Sequence, residues 1–181
     1  MTRGAVVWLT GLSGSGKTTL AHGLRIRLER DRSVQVLDGD ELRRTMSQDL
    51  GFSKADRDEH VRRVAALAAK KAEAGAVAIV AVISPYREAR DATRRAISQR
   101  HCFLEVHVDC ALEELRRRDP KGLYRRAAAG EIQQFTGVSD PYEPPLHPEL
   151  RIDTSTVSVE AAVDALYEAL ARTCRDVVAP R

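Results

Sequence analysis

Gly11-Leu12-Ser13-Gly14-Ser15-Gly16-Lys17-Thr18 matches the pattern G-x-x-x-x-G-K-[ST] at every specified position and follows directly on the apolar run Ala5-Val6-Val7-Trp8-Leu9. Residue types in this order hold a polyphosphate. The glycines let the backbone turn its N–H groups inward around the anion, Lys17 adds a mobile positive charge, and the Thr18 hydroxyl is placed to hold Mg²⁺. A helix that starts after Gly16 points its positive end at the same anion. A plain glycine-rich turn is the alternative, and the strand–loop–helix context argues against it.

Further chemistry collects after the later apolar runs. Leu37-Asp38-Gly39-Asp40-Glu41-Leu42-Arg43 places two carboxylates beside a glycine. Such a pair can serve a metal ion and accept a proton from an attacking hydroxyl, and phosphoryl transfer needs both. Asp40 is the candidate base or hydroxyl-positioning group, and Asp38 joins Thr18 as the candidate metal ligand. Capping of the next helix is the alternative for either carboxylate. Arg43 lies one helical turn past Asp40, within reach of an anion bound there. Arg57, His60, Arg62 and Arg63 then crowd a helix start where carboxylates are the usual choice, which favours anion binding. Phe52, just ahead, is placed to stack on a base or to staple onto that helix. Ser84, in Ile83-Ser84-Pro85-Tyr86-Arg87, either touches a ligand or caps the helix near Arg87. The cations Arg116-Arg117-Arg118 and Lys121 open a stretch at about 119–149 rich in Gly, Pro and charge. It reads as a lid that excludes water from the γ-phosphoryl group. A solvated loop with a helical hairpin is the alternative.

These residues need a scaffold, and the hydrophobic pattern supplies one. Apolar runs of strand length recur at 5–10, 34–37, 76–83, 102–108 and, more weakly, 150–153, separated by segments of helical spacing. That alternation predicts an α/β fold with a central parallel five-stranded sheet covered on both faces. Ligands of such sheets sit beyond the carboxyl ends of the strands. The clearest helix is expected over 55–74, with Ser53 and Asp56 as a capping box and Gly75 as the stop.

Length and composition set bounds. At 181 residues, one domain spanning 1–181 is expected, with no second domain needed. No apolar run approaches the roughly 20 residues of a membrane span. Met1-Thr2-Arg3 leads straight into the first strand without a leader, so a cytoplasmic protein is expected. Positive charge is scattered among acids, with a net of +3, which argues against nucleic acid as a partner. Arginine outnumbers lysine 24 to 5, and its planar fork suits phosphate and sulfate oxygens. Cys102, Cys110 and Cys174 form no C-x-x-C pair and are expected as buried small apolar residues without a disulfide framework.

Taken in order, GLSGSGKTT, LDGDELR, LGFSKADRDEHVRR, ISPYR, RDPKGLYRRAAAGEI, FTG and DPYEPP resemble the adenylylsulfate kinase family over nearly the whole chain, from Val6 to about Leu170. The resemblance implies a P-loop NTPase of the nucleotide-kinase type, with a three-layer fold and a lid. It implies transfer of the γ-phosphoryl of MgATP to the 3′-hydroxyl of adenosine 5′-phosphosulfate (APS), giving 3′-phosphoadenosine 5′-phosphosulfate (PAPS). On that pattern Gly11, Ser13, Gly14, Ser15, Gly16, Lys17, Thr18 and Thr19 hold the ATP phosphates and Mg²⁺, and Arg118 lies against the ATP adenine. Asp40, Arg43, Phe52, Arg57, His60, Ile83, Ser84, Lys121, Phe135 and Thr136 surround APS, with Phe52 and Phe135 sandwiching its adenine. Lys17, Asp40 and Ser84 carry catalysis. Ser84 matches the serine to which the family traditionally assigns a phosphoserine intermediate. Direct in-line transfer needs only positioning and charge neutralisation, so Ser84 is expected to bind and orient APS. The chain departs from the family at position 60, where His stands for the usual Asn, and at Glu41. ATP and APS are the implied partners, no membrane is involved, and a homodimer is compatible with the pattern. A kinase of the same fold acting on another small hydroxyl compound is the alternative, and a nucleotide-dependent switch a more distant one.

Overall fold

The computed structural model describes residues 4–178; the Met1-Thr2-Arg3 start lies outside them. Five strands, β1 (Ala5–Thr10), β2 (Val34–Asp38), β3 (Val77–Ala81), β4 (Cys102–Asp109) and β5 (Leu150–Asp153), form one sheet in the order β2-β3-β1-β4-β5. Every pairing is parallel, and β1 sits at the centre with Val7 opposite both Ile79 and Leu104. The strands are apolar almost throughout because both faces are covered. Alternate residues serve the two faces. Val7, Leu9, Ile79 and Val106 pack with Leu20, Leu24, Leu166 and Leu170 from α1 (Lys17–Leu28) and α7 (Val159–Thr173). Val6, Trp8, Val80 and Phe103 pack with Val61, Val64, Ala68 and Ile97 from α3 (Lys54–Glu73) and α4 (Arg87–Ser98). The three expected layers follow.

α3 starts and stops where its caps dictate. The Ser53 hydroxyl accepts from the Asp56 N–H at 3.2 Å and the Asp56 carboxylate accepts from the Ser53 N–H at 3.3 Å, while Gly75 leaves the helix with φ 83°. Its buried face runs Arg57, His60, Val61, Val64, Ala68, Ala72. The face is apolar over the sheet and polar where it reaches the carboxyl edge, so one continuous helix joins core to site.

One expectation needs correction. Cys102, at the start of β4, and Cys174, just past α7, are joined in a disulfide with their Cα atoms 5.7 Å apart, and only Cys110 is free and buried. A pair separated by 72 residues is made by the fold and leaves no local spacing to read. The stretch after Arg118 carries one short helix and its own small apolar cluster. α5 (Leu112–Arg118) leads into α6 (Leu123–Ala128), where Tyr124 meets Phe135 edge-on at 5.0 Å in a small cluster with Leu115 and Cys110. The remaining helices are α2 (Gly39–Thr45) and α8 (Arg175–Val178). Among the described residues no helix is long and apolar enough to cross a membrane.

The α1–α7 contact depends on a missing side chain. A Cβ on Gly23 would stand 2.5 Å from Val163 Cγ2. Alanine at this helical position gains about 1 kcal/mol of propensity, but overpacking costs about 1–3 kcal/mol. Gly23→Ala is therefore expected to lower the urea midpoint, and Val163→Ala in the same chain to restore it. A Gly23→Ala variant more stable than wild type would show that the helices separate freely.

Candidate active site

The carboxyl ends of β1, β2 and β3 open into one cavity of about 430 Å³. One side is the phosphate loop. Gly14 and Gly16 take left-handed backbone, at φ 77° and 97°, which turns the loop and leaves Gly16 as the N-cap of α1. Ser13, Gly14, Gly16, Lys17, Thr18 and Thr19 line the cavity. Ser15 is fully buried beneath them, and Gly11 does not reach the cavity wall. Lys17 is curled onto its own loop, donating to the Gly11 carbonyl at 2.9 Å and the Leu12 carbonyl at 2.7 Å. Burial lowers its pKa to about 8 against the opposing charges of Asp40 and Asp38.

The second strand delivers the carboxylates. Asp38 is both things its sequence allowed. Its side chain caps α2, accepting from the N–H groups of Asp40 at 2.9 Å and Glu41 at 3.3 Å, and it also accepts from the Thr18 hydroxyl at 2.7 Å. Burial raises its pKa, but the Thr18 hydroxyl, the two backbone donors and the Lys121 charge outweigh burial and hold the carboxyl below its usual range. Asp40 points outward from the first turn of α2 and forms an exposed ion pair with Lys121 of the lid stretch.

The facing wall is cationic and aromatic. Phe52 is 56% exposed, with the Arg43 guanidinium 4.8 Å and the Arg57 guanidinium 5.6 Å from its ring centre. Phe52 is thus an exposed ring flanked by two guanidinium groups and not a staple. Arg43 also donates to the Gly51 carbonyl at 2.7 Å, and buried Arg57 to the Phe52 carbonyl at 2.9 Å and to the Gln134 carbonyl. Arg57 so ties α3 to the stretch carrying Phe135. His60 completes this wall. Its Nδ1 pairs with the Ser47 hydroxyl at 3.0 Å, which leaves Nε2 for the cavity. Burial first, then the charges of Arg43 and Arg63, lower its pKa to about 4 against the pull of Asp40. A neutral imidazole, one donor and one acceptor, is what the cavity meets.

Ile83, Ser84 and Pro85 close the floor. Ser84 does not cap α4, whose N-cap is Tyr86. Its backbone is left-handed at φ 41°, it is 3% exposed, and its Oγ accepts from the Trp8 indole N–H at 3.1 Å.

The cavity thus sets the phosphate-loop motif opposite an exposed aromatic ring flanked by cations. The adenylylsulphate kinase family model matches residues 3–153. A probable adenylyl-sulfate kinase of Aeropyrum pernix is 47% identical over 167 residues, covering 91% of each chain. This chain belongs to the adenylylsulphate kinase family. Among solved structures, the Mycobacterium tuberculosis APS kinase in complex with AMPPNP and APS superposes with a TM-score of 0.89 at 41% identity, over 94% of this chain and 99% of that one. A hexameric APS kinase of Thiobacillus denitrificans gives a TM-score of 0.74 at 35% identity, over 99% of this chain but 31% of that longer one.

Besides Gly11 and Ser15, three residues of the family pattern do not line the cavity. Phe135 is packed edge-on against Tyr124, and Thr136 is 2% exposed with no hydrogen-bond partner for its hydroxyl. The Phe135 ring thus has Tyr124 on one side, while Phe52 stands exposed at the cavity wall. Arg118 is committed to the Glu114 carboxylate at 2.8 Å and the Thr154 carbonyl at 2.7 Å, behind the phosphate loop. Conversely, Trp8, Thr10, Arg90 and Glu143 support the site and went unnoticed in the sequence. The signal was there in Trp8 and Thr10, bulky or polar residues at the end of a fully buried strand.

His60 makes stability depend on pH. Its pKa falls from 6.5 when unfolded to about 4 when folded, so the unfolded chain binds more protons between those values. The stabilisation is complete above pH 6.5 and is lost as pH falls toward 4. His60→Asn should therefore lose about 2 kcal/mol less stability than wild type between pH 7 and pH 4.5, read from urea unfolding. Identical acid losses would show that the imidazole is not held neutral.

Proposed function

We propose that this chain transfers the γ-phosphoryl group of ATP directly to the 3′-hydroxyl of APS, giving PAPS and ADP. One observation carries the reading. Lys17 and Thr18 of the phosphate loop line the same cavity as Asp40, Arg43, Phe52 and Arg57. Donor and acceptor can then meet without a covalent relay. The Mycobacterium tuberculosis relative holds a nucleotide analogue and APS together, which supports the same division of the cavity.

The ATP phosphates take the backbone N–H groups of the loop and draw Lys17 off the Gly11 and Leu12 carbonyls. Thr18 and Asp38, 2.7 Å apart, are hard oxygen donors that fit Mg²⁺. Held by these two residues, Mg²⁺ would supply charge neutralisation to the phosphates during transfer. On the other side, the APS adenine stacks on Phe52 while Arg43 and Arg57 face the phosphosulfate. The 3′-hydroxyl takes the Asp40 carboxylate from Lys121, and the released ammonium turns to the anions. Asp40 orients the hydroxyl and holds its proton as the O3′–P bond forms and the bond to the β-phosphate oxygen breaks. ADP is the leaving group. Closure of the 119–149 stretch ahead of its anchored end at Glu143 excludes water. Ser84 is a poor nucleophile here, since its Oγ is buried against Trp8 and bonds no carboxylate or imidazole among the described residues. The cytoplasm, where ATP is at hand, is the location that fits this chemistry.

Coupled ADP release tests the reading. Wild type should release ADP rapidly with APS and not with other nucleosides or small alcohols; activity on one of those without APS would overturn the acceptor assignment. Asp40→Asn should lower kcat by about 10²–10⁴-fold with the ATP KM nearly unchanged. Full turnover in that variant would remove Asp40 from its role. Arg57→Ala should raise the APS KM by at least about tenfold, and an unchanged value would misplace the phosphosulfate.

A further inference from the structure

The acceptor wall bends at Ser84, and what holds the bend lies outside the cavity. Left-handed backbone at a non-glycine residue persists only where its surroundings over-determine it. Here they do. The Trp8 indole N–H donates to Ser84 Oγ at 3.1 Å, the Thr10 hydroxyl donates to the Ile83 carbonyl at 2.7 Å, and Arg90 Nη1 donates to the Ser84 carbonyl at 2.6 Å. Arg90 is 2% exposed and touches neither the cavity nor any residue of the phosphate loop by hydrogen bond.

Its other donors are equally committed. Nε donates to Glu105 Oε1 at 3.1 Å, and Nη2 to the Glu143 carbonyl at 2.6 Å. Buried Glu105, on β4, shares its second oxygen with Arg94 at 3.1 Å. Glu143 in turn donates its N–H to the Pro85 carbonyl at 2.9 Å and accepts the Arg87 N–H on its carboxylate at 2.8 Å. One planar guanidinium therefore joins the sheet, the acceptor wall and the strap that ends the 119–149 stretch.

A buried ion pair adds little net stability, because desolvation offsets its attraction. Apolar residues at 90 and 105 could fill the same volume. They could not aim two N–H donors at carbonyls on two separate loops. We propose that Arg90, held in place by Glu105, is a positioning residue for the phosphoryl acceptor: it fixes the Ile83–Pro85 wall and couples it to the 140–149 strap, so that the acceptor meets a preformed surface. The acceptor readout rests on the kinase reading above.

Trp8 is the only tryptophan in the chain and is bonded to Ser84 itself, so its fluorescence reports the anchor directly. Arg90→Lys keeps the charge and loses the fork. It should fold, shift Trp8 emission without ligand, raise the APS KM on the order of tenfold and leave the ATP KM within about twofold. Glu105→Gln keeps an oxygen for Nε and should move both readouts the same way by less. An unchanged APS KM, equal rises in both KM values, or emission identical to wild type would each overturn the proposal. Should Arg90→Lys fail to fold, Glu105→Gln alone carries the same test on the same criteria. If wild type leaves APS untouched, the kinase reading falls, while the ligand-free emission of Arg90→Lys against wild type still decides the anchor.

Discussion

A parallel sheet buried on both faces leaves its carboxyl edge as the place where polar chemistry can gather without cost to the core. Everything functional here follows from that constraint. β1 delivers the phosphate loop, β2 delivers Asp38 and Asp40, and β3 delivers Ile83 and Ser84, so three neighbouring strands feed one cavity. α3 adds the opposite wall by carrying its buried stripe past the end of the sheet, where Val61 gives way to His60 and Arg57.

Within the cavity, burial and charge sort the titratable groups by task. Asp38 stays ionised because its hydrogen bonds outweigh its desolvation, whereas His60 stays neutral because nothing outweighs its own. The result separates an anionic edge beside the phosphate loop from a neutral, hydrogen-bonding edge beside Phe52. Asp40 stands between the two, held for the moment by Lys121. An exposed pair of this kind is weak, and so it yields easily to a ligand.

The sheet was legible because its strands are long apolar runs, and α3 because its caps are local: Ser53, Asp56 and Gly75 each act within a few residues. The phosphate loop was legible for the same reason. What escaped the sequence is what only three dimensions create. Cys102 and Cys174 meet across the end of the core, Arg90 finds Ser84 and Glu143 on separate loops, and Phe135 packs edge-on against Tyr124. Ser84 is the instructive case. A serine at a strand end suggests a cap or a ligand contact, and only the tertiary bond from Trp8 makes it an anchor.

Transfer in one step between two halves of a single cavity is the core of this account, and the stereochemistry at phosphorus tests it most directly. With ATP made chiral at the γ-phosphorus by one sulfur substituent and oxygen isotopes, each in-line displacement inverts the configuration. The account predicts net inversion in the thiophosphoryl group carried to the 3′-hydroxyl. Net retention would mean two displacements through a phosphorylated residue, with Ser84 the first suspect, and would contradict it.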